Sequence, residues 1–276
     1  MLQVPGWTQI SWLRHGFSTR SGGVSTVYGA KCLNLGWTKE DAPAAVAENR
    51  RLLVDKVAPS AKLVTIRQVH SNHIQAVNAQ DALAGRLETP EGKAVLEGDG
   101  LITNAPGILL AAGTADCVPV LIVDPVRRAV GAFHAGWRGT VTRIAERGVE
   151  AMQAQYGSSP SDLWAAIGPS IGPCCYTVGN EVWDRFGAEF PYAAELFQAA
   201  AVEKDASALK VNLWEANRRQ LLDAGVPAER ITTLGECTAC TMDPAGEPKY
   251  FSHRAQAGRT GRMLNVIGIF EDGFSR

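Results

Sequence analysis

Four apolar runs of strand length stand close together in the middle of the chain: Leu101-Ile102, residues 108–112, 118–123 and 129–133, separated by Gly or Pro turns. A strand with one wet face alternates apolar and polar residues, whereas a run that is apolar throughout reads as buried on both faces. The runs therefore predict central strands covered from both sides. Weaker strand signals lie at 10–13, 63–66, 74–77, 164–167, 231–234 and 263–270. Helices are predicted over 41–57, where Asp41 can cap, Pro43 suits the first turn and Val46, Leu53 and Val57 recur at helical spacing. A second should run over 140–156, stopped by Gly157, and a third over 180–186. A fourth, over 212–225, opens on Asn212-Leu213-Trp214-Glu215, which has capping-box form. Residues 16–23 read as a turn region. Residues 84–98, polar and carrying Pro90 and Gly92, read as an exposed loop.

No internal repeat or compositional break marks a boundary, so one layered α/β or α+β domain is expected over 1–276. The formal net charge of −1 gives no field to attract nucleic acid or an anionic membrane. No run of about 18 apolar residues predicts a membrane-spanning helix. The first six residues have neither the basic nor the apolar region of a secretory signal, and a cytoplasmic location is expected.

Three residues that can bind a soft metal sit at strand ends or glycine-flanked turns: His70, Cys117 and His134. Two imidazoles and one thiolate leave a tetrahedral metal one open position, the arrangement of a catalytic rather than a closed structural zinc. No local ligand motif joins them. Taken singly, a cysteine heading an apolar run is a packed thiol and a lone histidine a hydrogen-bonded side chain. Cys237-Thr238-Ala239-Cys240 forms a C-x-x-C whose companion would be the adjacent pair Cys174-Cys175. Adjacent cysteines are poor joint ligands, so buried thiols are expected there, with a structural zinc as the alternative.

Further motifs appear in a fixed order: Asn34-Leu35-Gly36, Arg67-Gln68-Val69-His70, Asp99-Gly100-Leu101-Ile102-Thr103, Ala115-Asp116-Cys117-Val118-Pro119, His134-Ala135-Gly136-Trp137-Arg138-Gly139, Gly168-Pro169-Ser170-Ile171-Gly172-Pro173, Phe251-Ser252-His253-Arg254 and Thr260-Gly261-Arg262-Met263. This pattern, which covers most of the chain, resembles the YfiH family, also described as multicopper polyphenol oxidase (laccase-domain) proteins or as YfiH-type purine nucleoside phosphorylases. The resemblance implies an α/β/β/α-layered sandwich with mixed sheets and a zinc held by His70, Cys117 and His134. It also implies phosphorolysis of adenosine, inosine, guanosine and S-methyl-5′-thioadenosine, and deamination of adenosine. Asn34, Arg67, Arg138 and Arg254 become candidate contacts to nucleoside or phosphate, since arginines fork phosphate well. Asp116 is a candidate either to orient a ligand histidine or to act as an acid or base.

Two rival chemistries use the same residues. In a metal-free hydrolase, Cys117 would be the nucleophile and His134 or His70 the base, acting on an amide such as a peptidoglycan precursor. Copper would bind two imidazoles and a thiolate, but five histidines are too few for a multicopper cluster. Copper is therefore expected only as an adventitious occupant, and phenol oxidation is not.

Overall fold

The apolar runs become the strands Gly100–Thr103, Ile108–Thr114, Val118–Asp124 and Ala129–Ala135, and they divide between two sheets. The computed structural model describes residues 1–199 and 209–270, so residues 200–208 and 271–276 of the expected span lie outside the described residues. A four-stranded sheet has the order Leu13–Phe17, Met263–Ile269, Ile108–Thr114, Lys62–Val64. A six-stranded sheet has the order Ile231–Thr233, Trp164–Ile167, Val118–Asp124, Ala129–Ala135, Gly100–Thr103, Ile74–Ala76. Parallel pairs close both edges of the larger sheet and one edge of the smaller, and the rest are antiparallel.

Parity along one strand explains the uninterrupted runs. Val118, Val120 and Ile122 enter a core with Phe133, Ile144, Val149, Met152, Phe186 and Leu221, beneath the helices Ile144–Tyr156, Asn180–Glu189 and Leu213–Asp223. Leu121 and Val123 point the other way, to Phe17, Leu110, Ala112 and Ile267 of the facing sheet. The outer face of the smaller sheet, with Leu109, Ala111, Leu264 and Val266, takes Leu53 and Val57 of the helix Pro43–Val57. The layers are thus α/β/β/α, as the resemblance implied. Each buried Val, Leu, Ile or Phe contributes roughly 1.5–3 kcal/mol on either face.

The local differences from expectation have local causes. Much of the supposed turn region 16–23 is strand, Leu13–Phe17 followed by Ser21–Ser25, because Leu13–Phe17 pairs with the distant Met263–Ile269. The helix foreseen over 140–156 is two, Trp137–Val141 and Ile144–Tyr156, broken where Arg143 turns left-handed (φ 63°). Asp41 caps nothing. Its carboxylate instead ties Ser25 (2.5 Å) and Asn34 (2.8 Å), and the helix begins at Pro43. Asn212 does cap, accepting from the Glu215 amide (3.1 Å). Unforeseen are the short helix Ala79–Leu83 and a small sheet of Thr177–Val178, Leu209–Val211 and Phe197–Ala199. In the segment 84–98 exposed positions interleave with Leu87 and Leu96, which pack on the inter-sheet core. Among the described residues no helix is long and apolar enough to cross a membrane.

His15 is sealed in this framework. It is buried, its Nε2 accepts the Val4 N–H (2.9 Å), and its ring lies 5.1 Å from that of Trp7. Burial pushes its pKa from 6.5 down to about 4. Between those values the unfolded chain binds the proton that the folded chain refuses, so stability rises with pH across this window and is lost as pH falls through it. The drop is worth about 3 kcal/mol. We expect the urea midpoint to fall between pH 7 and pH 4.5, and His15→Gln to flatten that fall. An unchanged pH slope in the variant would remove His15 from the account.

Candidate metal centre and active site

Three pieces of chain converge at one end of the larger sheet. His134 is the penultimate residue of Ala129–Ala135, and Cys117 immediately precedes its antiparallel neighbour Val118–Asp124. Val118 pairs with Ala135, so Cys117 and Gly136 meet just beyond the last pair. His70 arrives on the connection between Lys62–Val64 and Ile74–Ala76, in the left-handed region at φ 61°. One ligand atom from each of His70, Cys117 and His134 lies within 4.8 Å of the others, and the two imidazoles meet edge to face with centroids 5.0 Å apart. Gly136 makes this possible. A Cβ there would stand 3.0 Å from Cys117 Sγ and 3.1 Å from His70 Cδ2, so any side chain would push into the group.

Asp99 organises the group and was not foreseen, although its motif was. It is fully buried, and its Oδ1 sits 2.8 Å from His134 Nδ1. It also accepts the backbone N–H groups of Val69 (3.2 Å), His70 (3.0 Å) and Ser71 (2.6 Å), and the Ser71 hydroxyl (2.8 Å). One carboxylate therefore orients His134 and pins the loop that carries His70. An Asp before Gly at the head of a strand reads as turn chemistry, which hid its role.

The charges are coupled. Burial opposes the Asp99 carboxylate, but His134 and Ser71 outweigh it and hold its pKa at about 2. Burial likewise opposes the Cys117 thiolate, yet His134 and His70 pull its pKa down to about 6. His134, penalised by burial, is raised to about 9 by Cys117 and Asp99. At neutral pH the arrangement favours thiolate beside imidazolium, a ready nucleophile and a ready soft ligand.

The other predicted residues distribute unevenly. Asp116, at φ 95°, accepts the Thr238 hydroxyl (2.6 Å) and the Arg254 backbone N–H (2.6 Å); the histidine-orienting role considered for it is filled by Asp99. Arg254 extends over the Tyr176 ring at 5.2 Å and donates to the Thr177 carbonyl (2.8 Å). Arg138, exposed, lies over Trp137 at 4.3 Å, two residues beyond Gly136. Tyr176 sits in the field of Cys117, Asp116, Arg254 and Arg138, and burial foremost pushes its pKa to about 12. Arg67 and Asn34 lie elsewhere. Arg67 is exposed, pairs with Glu97 and lines a cavity of about 480 Å³ with Trp37, Arg50, Gln68 and Arg262. Asn34 is fully buried, its amide spent on Gly36, Thr38, Asp41 and Arg262. Gln68 joins the cavity to the centre, since it lines the former, precedes His70 by two residues and bonds both backbone groups of Gly113 (2.7 and 2.8 Å).

The pattern of the "Multi-copper polyphenol oxidoreductase laccase" family matches residues 14–270. The chain belongs to this family. A purine nucleoside phosphorylase YlmD of Bacillus subtilis (strain 168) is 38% identical over 98% of this chain and 95% of its own length. A protein named adenosine deaminase RL5, from an unknown prokaryotic organism, is 38% identical over 74% of each chain. The crystal structure of the hypothetical protein YfiH of Bacillus licheniformis superposes with a TM-score of 0.84 at 34% identity, covering 98% of this chain and 96% of that one. Despite the copper in the family's description, only two groupings of three or more His, Cys, Asp or Glu with ligand atoms mutually within 4.8 Å occur among the described residues. One is His70, Cys117 and His134, and the other contains cysteines alone.

Proposed function

We propose that this chain is a zinc-dependent purine nucleoside enzyme. Its reactions would be phosphorolysis of adenosine, inosine, guanosine and S-methyl-5′-thioadenosine to base and (thio)ribose 1-phosphate, and deamination of adenosine. The observation that carries this reading is a three-ligand group with an open side, in a chain whose relatives are named for these two activities. The donor set fits zinc: two nitrogens and one sulfur converge over Gly136, where no Cβ intrudes. When bound, zinc supplies a Lewis acid that brings the pKa of water at its open position to about 7.

The residues do the rest. The Asp99 carboxylate requires the proton on His134 Nδ1, which turns the Nε2 lone pair towards the centre. Arg138, two residues beyond Gly136, and Arg254, whose backbone N–H bonds Asp116, are the candidate phosphate forks. In phosphorolysis a phosphate oxygen bonds to C1′ while the purine leaves with the C1′–N9 electron pair. Tyr176, kept protonated by its raised pKa, can donate to that anionic base.

A second reading has support of its own. Asp99, His134 and Cys117 form a carboxylate–imidazole–thiol chain, which suits a metal-free cysteine hydrolase acting on an amide such as a peptidoglycan precursor. One experiment separates the two: metal analysis of the purified protein beside adenosine turnover with and without phosphate. Zinc with phosphate-dependent adenine release supports the nucleoside enzyme. Protein with no zinc at the His70 group and inert toward nucleosides supports the hydrolase. In the first case Arg138→Ala should lower phosphorolysis on the order of 10–100-fold, the worth of a lost charge-assisted pair, with deamination nearly unchanged. Equal loss of both activities would remove Arg138 from phosphate binding.

A further inference from the structure

Cys174, Cys175, Cys237 and Cys240 take no part in the centre above. The expectation of buried thiols fails for them: Cys174 and Cys240 are exposed, Cys175 is half-buried and only Cys237 is buried. Adjacent cysteines were expected to be poor joint ligands, yet all four Sγ atoms lie within 4.8 Å of one another. The backbone explains how. The N–H groups of Cys175 and Tyr176 both donate to the Gly172 carbonyl at 3.0 Å, curling the chain so that neighbouring side chains converge. Opposite, the Thr241 N–H closes a turn onto the Cys237 carbonyl at 3.0 Å, the local fold of a C-x-x-C ligand pair. The two turns are joined by Thr238 N–H to Ser170 O (3.0 Å) and Ser170 N–H to Glu236 O (3.2 Å).

The spacing is that of a single tetrahedral ion. Thiolates bound to zinc at about 2.3 Å stand about 3.8 Å apart along the tetrahedron's edge. Cys174 Sγ and Cys240 Sγ are 3.7 Å apart, well beyond a disulfide and close to that edge. A cluster of several irons between four sulfurs needs more room than 4.8 Å. The surroundings suit negative sulfur. The Gly172 N–H donates to Cys237 Sγ (3.2 Å), and the Lys210 ammonium, bonded to the Cys174 carbonyl (2.7 Å), lies alongside. A Cβ at Gly172 would stand 2.6 Å from the Trp214 ring and 3.3 Å from Cys174 Sγ, so the close approach requires glycine.

We propose that Cys174, Cys175, Cys237 and Cys240 bind one zinc ion as a closed tetrathiolate, a second metal site separate from the His70 group. Four protein ligands leave no open position, so this zinc is structural. It clamps two turns that both hold Asp116: Thr238 bonds its carboxylate (2.6 Å) and the Ile171 N–H bonds its carbonyl (2.9 Å). The residue before Cys117 is thereby fixed from the clamp side.

The test is metal stoichiometry on the full chain purified under reducing conditions, with no activity readout, so it stands apart from the nucleoside reading. Cys117→Ala, which breaks the other site, should still carry about one zinc per chain. Its cobalt-loaded form should show the thiolate-to-cobalt charge transfer and visible bands of a tetrahedral tetrathiolate, and Cys174→Ser with Cys240→Ser should abolish both. Should that double variant not fold, organomercurial titration of the Cys117→Ala protein gives the answer: one zinc released as four thiols react. Zinc-free Cys117→Ala protein, or disulfides among the four cysteines in the freshly reduced and purified chain, would overturn the proposal.

Discussion

Cys117→Ala is expected to lose the metal of the His70 group and nucleoside turnover together, while the fold persists. Removing the thiolate takes the only anionic donor from the three, and two imidazoles alone hold zinc poorly. The packing cost is small, because Cys117 is half-buried and sits beyond the last pair of the strand it precedes. We expect zinc to fall by about one equivalent per chain and kcat/KM by about 10³-fold or more, the scale of losing a catalytic metal. The melting temperature of the variant should stay within a few degrees of the parent stripped of metal at the His70 group alone. Metal analysis, adenosine turnover and thermal melts check the three parts. Full turnover in the variant would withdraw all three ligand assignments.

Asp99 should be the more damaging position for stability. Asp99→Ala removes five hydrogen bonds from a fully buried carboxylate and leaves His134, the Ser71 hydroxyl and three backbone N–H groups without that partner. Breaking one side of a buried charged pair costs about 3–5 kcal/mol, enough to lower the melting temperature visibly. Asp99→Asn separates the roles. It keeps the shape, but its amide N–H groups oppose donors, so the tautomer of His134 and the His70 loop both relax. Zinc affinity should fall roughly 10–100-fold, as for other lost partners of metal-ligating histidines. Chelator competition reads this directly. An Asn variant that binds zinc as tightly as the parent would show that Asp99 supports only the fold.

The two buried sheets were legible because their strands are apolar at every position, and only burial on both faces explains such runs. Leu13–Phe17 was misplaced because its partner lies some 250 residues away, at Met263–Ile269. The break at Arg143 left no mark in the apolar periodicity. At the centre, His70, Cys117 and His134 were legible from residue type and position at strand ends. Asp99 was not, since its importance lies in five donors drawn from two segments. Asn34 was misleading: its motif sits near the start of the pattern, but the side chain braces its own loop. The cysteine group was discounted because Cys174 and Cys175 are adjacent, and the curl onto the Gly172 carbonyl is what lets those neighbours converge.

The two kinds of support under the His70 group give it a rigid side and a hinged side. Cys117 and His134 are carried by paired strands, so displacing them means unzipping the larger sheet. His70 rides on an arm whose amides at 69–71 are held by one side chain, Asp99, and by no strand neighbour. Opening the arm costs a few hydrogen bonds, and opening the sheet costs the whole core. An ion at this centre would therefore leave by the His70 side. Its residence time would be set by how often the arm swings out, while the geometry it returns to is kept by the strands.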